Sequence, residues 1–119
     1  MTVLEAIHEF DSLKPNTYSQ EQKITWLDRL DRFILSTILS RYEEGEALTA
    51  EEGDPDRQLL MEEPFTQGYI HWLESKVHYF NEEMDRYNSA VMKFRAIFED
   101  YQRSLHEKKR VNTAGTFRY

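Results

Sequence analysis

The sequence predicts an all-α protein, a bundle of about four helices, and three observations carry that prediction. Apolar residues recur at three- and four-residue intervals over two long segments, about residues 20–42 and 65–107, which is the spacing of amphipathic helices. Two capping-box patterns stand immediately before helical stretches. No glycine or proline interrupts residues 69–114.

The first helix is predicted to begin near Val3 and to end near Lys14. Thr2 and Glu5 have the capping-box spacing that marks a helix start. Pro15 disfavours helical geometry in the residue before it, so the helix has to end there. Its single apolar stripe consists of Val3, Ile7 and Phe10.

The second helix is predicted to be long and buried along a broad face. Ser19 and Gln22 form the second capping box, and the apolar spacing continues to about Tyr42. The apolar face is made by Ile24, Leu27, Leu30, Phe33, Ile34 and Ile38, with Trp26 and Leu35 widening it.

Residues 43–63 are predicted to form an acidic loop with a short apolar anchor at residues 59–61. The segment has no helical period, and Arg57 is its single basic residue. Loops of this length in compact domains are usually functional or mobile. Its acidic residues are Glu43, Glu44, Glu46, Glu51, Glu52, Asp54, Asp56, Glu62 and Glu63.

Residues 65–107 fit either one helix of about 64 Å, at about 1.5 Å per residue, or a helical hairpin. We favour the hairpin, with its turn near Asn81. Lys76 and His78 fall in the last turn of the first arm, and Asn81 precedes a run of acidic residues suited to a helix N-terminus. The apolar positions are Ile70, Leu73, Val77, Phe80, Met84, Tyr87, Val91, Phe94, Phe98, Tyr101 and Leu105.

The chain is predicted to divide into a helical domain, residues 1–107, and an extended basic arm, residues 108–119. An arm of this polar, glycine-containing composition is expected to be unstructured alone and to become ordered on a partner. Its candidate docking residues are Lys108, Lys109, Arg110, Phe117, Arg118 and Tyr119.

The aromatic content predicts more apolar surface than one small core hides. Most of the apolar stripe is expected to be core, and its unburied remainder is expected to mediate self-association. The residues assigned to this core and self-association stripe are Trp26, Phe33, Ile70, Leu73, Val77, Phe80, Tyr87, Phe94, Phe98 and Tyr101.

The residue types present give no support for an enzyme, a cofactor or a metal. The chain has no cysteine, so it has no thiolate nucleophile or sulfur ligand, and it has no glycine-rich phosphate loop. His71, Glu74 and His78 form the best metal-like set, but their spacing matches neither the zinc-protease motif nor the di-iron Glu-x-x-His pair. Covering the core edge explains these histidines better. No secretory signal or membrane span is expected, which predicts a soluble protein.

Several short motifs resemble those of a known group of viral proteins. The motifs are Leu13-Lys14-Pro15-Asn16, Tyr18-Ser19-Gln20-Glu21, Ile24, Trp26-Leu27, Leu30-Asp31, Glu63-Pro64-Phe65, Tyr69-Ile70-His71-Trp72-Leu73-Glu74, Asn81, Glu83 and Arg86-Tyr87-Asn88. On these motifs the chain is similar, over most of residues 1–105, to the small head–tail connector, or adaptor, proteins of long-tailed phages and prophages of Gram-positive bacteria.

The resemblance implies a virion structural protein in the neck, assembled in the host cytoplasm. Such adaptors form a closed ring, typically of about twelve copies, beneath the portal. Their C-terminal segment docks on the portal, here residues 108–119, and loops such as 43–63 reach the stopper or tail-completion protein, or the channel. An acidic wall lets double-stranded DNA pass without specific binding. The alternative is a small acidic regulatory protein that binds a host or phage factor, or mimics DNA, through residues 43–63.

Overall fold

The computed structural model describes residues 1–38 and 52–117, with side chains as far as Lys108. Its four helices run in the order α1, α2, α3, α4, and the described ranges contain no strand, only an isolated antiparallel bridge between Thr2 and Gln58. The predicted all-α class with four helices is confirmed. The bounds are Val3–Leu13 for α1, Gln20–Thr37 for α2, Gln67–Phe80 for α3 and Met84–Phe117 for α4.

Helix α1 begins at the predicted capping box. The Glu5 amide donates to Thr2 Oγ1 over 3.1 Å, and the Thr2 amide donates to Glu5 Oε1 over 3.0 Å. Each of these bonds satisfies an amide that the first turn leaves unpaired. The helix ends at Leu13, two residues before Pro15, and its buried face consists of Val3, Ala6, Ile7 and Phe10.

Helix α2 is capped by Ser19, whose Oγ accepts from the Gln22 amide over 3.1 Å. It ends at Thr37, and the predicted end near Tyr42 lies outside the described residues. Its apolar face packs toward α1 and α3 and includes Trp26, Leu27, Leu30 and Ile34, each no more than 2% exposed. The broad buried face expected from the spacing is present.

Helices α3 and α4 form the predicted hairpin, and they make the most extensive helix–helix contact in the described chain. The turn occupies residues 81–83, and Glu82 there has a positive φ of 59°. The Glu83 amide donates to the carbonyl of His78 over 2.9 Å. A residue in the left-handed region is a common way to end a helix, and Asn81 is the C-cap of α3.

The expected extended arm is wrong as far as Phe117, because α4 continues through Lys108 without a break. Residues 108–111 are good helix formers apart from one valine, and no glycine occurs before Gly115. Extending an existing helix needs no new nucleus, so a polar segment prolongs it readily. Arg118 and Tyr119 lie outside the described residues.

The described part of the acidic segment, from Glu52 onward, consists of turns that are hydrogen-bonded to the first turn of α1. The Val3 and Leu4 amides donate to the carbonyls of Arg57 and Pro55 over 3.0 and 2.9 Å. Leu59 and Met61, two members of the predicted anchor, are 5% and 1% exposed. The anchor therefore closes the core between α1 and α3.

Candidate interaction surface

Aromatic side chains from three helices pack together on one side of the bundle. The ring centroids of Trp72 and Phe94 are 5.2 Å apart, and those of Phe94 and Phe98 are 5.3 Å apart. Phe33 of α2 lies 6.4 Å from Phe98 of α4. Distances of this size are favourable for aromatic pairs, so the three helices share one aromatic layer.

This layer borders an open cavity of about 400 Å³, which we call the aromatic groove. A volume of this size is within the range of sites that accept ligand or partner side chains. Its lining comes from α2, α3 and α4 and consists of Trp26, Arg29, Leu30, Phe33, Trp72, Lys76, Phe94 and Phe98.

Two cations are the charged residues of the groove. Lys76 Nζ lies 4.4 Å from the ring centroid of Trp72, which is a cation–π contact. Burial lowers the pKa of Lys76, and the positive charge of Arg29 lowers it further. Among the residues that the structure describes, no acidic side chain lines the groove. The groove is therefore aromatic inside and positive at its edge.

The predicted core and self-association stripe divides into two parts. Trp26, Ile70, Leu73, Val77 and Tyr101 are buried and belong to the core. The other five are more accessible: Phe33 and Phe80 are 52% and 54% exposed, and Tyr87, Phe94 and Phe98 are partly buried. Three of these five, Phe33, Phe94 and Phe98, line the aromatic groove.

A buried polar cluster, which the sequence analysis missed, joins α2, α3 and the acidic segment. Asp31 is 1% exposed. Its carboxylate accepts from Tyr69 Oη over 2.6 Å, from Arg57 Nη1 over 2.7 Å and from the Leu60 amide over 3.1 Å. Arg57 Nη2 also donates to Asp28 Oδ1 over 3.0 Å.

The electrostatics of this cluster follow from its burial. Desolvation raises the pKa of Asp31 even though Tyr69 and Arg57 donate hydrogen bonds to it. Burial and the neighbouring Asp31 carboxylate raise the pKa of Tyr69 well above its ordinary value. Burial alone would lower the pKa of Arg57, but its bonds to Asp31 and Asp28 raise it. The charged groups of the cluster pair with one another, although Arg57 Nε has no hydrogen-bond partner, and this pairing indicates a structural role.

The structure does not bring the metal-like set together. His78 Nδ1 lies 3.1 Å from Glu83 Oε1 at the α3–α4 turn. His71 is partly buried, its Nδ1 has no hydrogen-bond partner, and burial lowers its pKa. In residues 1–38 and 52–117, no group of three histidine or acidic side chains is placed to hold a metal ion.

The predicted channel loop and docking arm are only partly described. Glu52 pairs with Arg32, and Asp54 Oδ1 accepts from the Asp56 amide over 2.9 Å. Lys108 is exposed, and Lys109, Arg110 and Phe117 belong to the last turns of α4. Four acidic positions of the loop, together with two of the arm, lie outside the described residues: Glu43, Glu44, Glu46, Glu51, Arg118 and Tyr119.

A second cavity of about 350 Å³ lies between the end of α1 and the α3–α4 turn. Both basic and acidic side chains line it, among them Lys14, Arg86, Glu74 and Glu83. Glu83 is paired with His78 and Arg86. The described lining of this cavity is therefore of mixed charge.

Comparison of the chain with protein-family models, with curated proteins and with solved structures finds no match. In the part of the chain that the structure describes, no helix combines the length and apolar character needed to cross a bilayer.

Proposed function

We propose that this chain is a head–tail adaptor of a tailed phage, a structural protein that joins the portal to the tail-side neck proteins as a homo-oligomeric ring. It acts by geometry and carries out no reaction. The observation on which the proposal mainly rests is the aromatic groove, which α2, α3 and α4 leave open on the surface. Apolar patches rimmed by polar groups are characteristic of protein–protein contacts.

The motifs of the resemblance coincide with the contacts that hold the bundle together. Tyr69 and Asp31 both belong to them, and they share the buried 2.6 Å hydrogen bond. Tyr18 Oη donates to Asn81 Oδ1 over 2.7 Å, which links the start of α2 to the α3–α4 turn. Because residues of these motifs form hydrogen bonds between the helices, a chain that has the motifs is expected to adopt this arrangement of helices.

A ring of identical subunits requires side-to-side contacts between two different surfaces of each copy. The exposed members of the aromatic stripe, Phe33 and Phe80, supply apolar area for such contacts. A ring of this kind, of about twelve copies, would occupy the neck of the virion. The chain would be made and assembled in the host cytoplasm.

The C-terminal end of α4 is the proposed portal-docking element, as a basic helix and not as an extended arm. Three consecutive basic residues occupy positions 108–110, and two aromatic residues, Phe117 and Tyr119, follow. Basic and aromatic side chains at the end of a helix suit an acidic, partly apolar pocket.

The acidic segment 43–63 is proposed to face the DNA channel or the next ring, where the stopper or tail-completion protein lies. Carboxylates repel phosphates, so such a wall lets double-stranded DNA move without binding it. The regulatory alternative gains less support, because Arg57 and the turns from Glu52 onward are fixed to α2 and to the N-terminus. That anchoring suits a rigid component of an assembly.

Side-chain-resolution imaging of the neck of the purified virion that carries this chain tests the proposal directly. We expect the chain in a ring against the portal, with residues 108–119 at the contact. Absence of the chain from the neck overturns the proposal. A monomer that binds a host or phage factor, and loses this binding when residues 43–51 are deleted, supports the regulatory alternative instead.

Co-expression with the portal protein of the same phage tests the docking element. The double variant Lys109→Glu/Arg110→Glu is expected to lose portal binding. Lys14→Glu/Arg103→Glu makes the same change in net charge elsewhere on the surface and is expected to retain it. Equal portal binding by both double variants would remove the docking role from the end of α4.

A further inference from the structure

We propose that the aromatic groove receives the α3–α4 turn of a second copy of this chain. This inference deepens the proposed function, because it names the two surfaces through which neighbouring subunits meet. The turn presents an exposed apolar and acidic surface, here called the turn patch, which consists of Tyr79, Phe80, Glu82, Met84 and Asp85.

The turn patch contains three of the six large apolar side chains that the described fold leaves exposed. Tyr79, Phe80 and Met84 are 49%, 54% and 47% exposed. They lie within six residues of one another at one end of the bundle. Exposed aromatic and methionine side chains concentrated in this way are typical of interface cores.

The charge of the turn patch is opposite to that of the groove. Residues 79–85 contain three acidic residues and no basic one. Glu82 and Asp85 are exposed. The neighbouring Arg86 is engaged with Glu83, at 3.2 Å. The described lining of the groove contributes Arg29 and Lys76 and no carboxylate. Opposite potentials of this kind select partners and fix their register.

Charge also excludes the two symmetric ways in which these surfaces can pair. A groove-to-groove contact would bring Arg29 and Lys76 of one copy against the same cations of the other. A patch-to-patch contact would oppose Glu82 and Asp85 in the same manner. Like charges brought together at an interface are strongly unfavourable. Only the patch-to-groove contact places each of the two surfaces against one of opposite charge.

The two surfaces are continuous on each subunit. Trp72, Lys76 and Phe80 follow one another at four-residue intervals on α3, so they lie along one side of that helix. Phe80 stacks on Trp26 of the groove with centroids 5.7 Å apart and an interplanar angle of 9°. A copy seated in the groove would therefore cover Trp72 and the aromatic surface next to it, whereas a ring requires the turn patch of the same subunit to stay free for its other neighbour.

A patch-to-groove contact is heterologous when the patch and the groove of each copy meet two different neighbours, and its repetition gives a ring when the rotation closes; made reciprocally by two copies, the same contact gives a two-fold dimer. The patch-to-groove contact is thus the type that the proposed adaptor ring needs. Its test does not require a portal or a virion, because it concerns the isolated chain.

Charge reversal followed by mixing tests the contact. One variant carries Glu82→Lys and Asp85→Lys in the turn patch, and the other carries Arg29→Glu and Lys76→Glu in the groove. Sedimentation velocity is expected to show that each variant alone associates at least about tenfold more weakly than the unchanged chain. An equimolar mixture is expected to recover association, because each kind of contact between the two variants is again of opposite charge.

The matched control is Glu21→Lys with Glu107→Lys, which reverses one carboxylate in the first turn of a helix and one exposed on α4. It is expected to associate like the unchanged chain. Circular dichroism shows whether each variant is folded, and recovery on mixing itself excludes unfolding as the cause of weaker association.

Several outcomes would overturn the inference while leaving the adaptor function standing. These are a monomer at all concentrations, association that both charge-reversed variants retain, and mixtures no stronger than their components. Absence of the chain from the virion neck, together with charge-dependent self-association, would overturn the adaptor function and leave the patch-to-groove contact supported.

Discussion

Tyr69 of α3 donates a 2.6 Å hydrogen bond to Asp31 of α2, and these two residues are 0% and 1% exposed. The same phenol oxygen accepts from the Met61 amide over 2.8 Å. One hydroxyl thus connects α3 both to α2 and to the end of the acidic segment. Buried polar groups paired in this way specify how elements meet, because any other arrangement leaves them unsatisfied.

The first prediction concerns this cluster. Asp31→Ala is expected to lower the free energy of unfolding by about 3–5 kcal/mol, because it leaves Arg57 without one of its two carboxylate partners in a low-dielectric site. Tyr69→Phe is expected to cost about 1–3 kcal/mol. Urea unfolding followed by circular dichroism measures both.

Asp100→Ala is the matched control for Asp31→Ala, because Asp100 pairs with Arg103 on the exposed surface. Its cost is expected to be less than about 1 kcal/mol. Equal losses for Asp31→Ala and Asp100→Ala would show that the buried cluster is not a special determinant of stability.

The second prediction concerns the partly buried His71. Burial lowers its pKa below the ordinary 6.5, so the unfolded chain binds this proton at a higher pH than the folded chain. The free energy of unfolding is therefore expected to fall as the pH drops from 7 through 6.5 and on to the folded pKa. His71→Gln is expected to reduce this fall, whereas His106→Gln, at an exposed position, leaves it in place. Urea titrations at a series of pH values measure the slope.

The third prediction concerns the α3–α4 turn in acid. Hydrogen bonds from His78 and Asn81 lower the pKa of Glu83 below the ordinary 4.5, so its contribution to stability is present above that pH. The contribution is lost as the pH falls through the lower, folded value. Glu83→Gln is expected to remove this part of the acid dependence. Glu99→Gln, at an exposed position on α4, keeps it, and an identical acid response in the two variants would contradict the assignment.

The fourth prediction concerns Gly68 of α3, which packs closely against Met61 and against Ile97 of α4. A Cβ at Gly68 would lie 3.1 Å from Met61 Cε and 3.2 Å from Ile97 Cγ2. Gly68→Val is therefore expected to destabilise the fold by about 1–3 kcal/mol through overpacking. Ser89→Val on the exposed side of α4 measures the cost of a β-branched residue without crowding, expected within about 0.5 kcal/mol. Thermal unfolding compares the two, and a neutral Gly68→Val would mean that Met61 and Ile97 give way.

Local signals in the sequence account for most of the helical architecture. Three local signals mark helix boundaries: Thr2 with Glu5, Ser19 with Gln22, and Pro15. Each signal acts within one helical turn, so the boundary that it marks can be predicted from the sequence alone. The α3–α4 turn was predictable because Lys76 and His78 suit the last turn of a helix and Asn81 precedes acids that suit a first turn, although the apolar period runs through these residues without a break. The length of α4 was not predicted, because a polar composition resembles that of a loose tail while a preformed helix extends through it.

The buried cluster and the groove depend on contacts between distant parts of the chain. Asp31 and Arg57 are 26 residues apart, and nothing near either residue signals that they meet. Apolar spacing assigns Phe33 and Trp26 to one stripe. The exposed fraction of each side chain, however, depends on how much of that stripe α3 and α4 cover. Only the packed arrangement separates a 52% exposed Phe33 from a 2% exposed Trp26.

The two tryptophans give the chain an intrinsic optical probe of assembly. Trp26 is buried even though it lines the groove, whereas Trp72 is partly exposed and has the Lys76 ammonium over its ring. Covering the groove removes water from one indole and leaves the environment of the other nearly unchanged. The tryptophan emission spectrum of the unlabelled protein is therefore expected to change when subunits associate. The Trp72→Phe variant lacks the indole at the groove, so this change is expected to be absent from its spectrum.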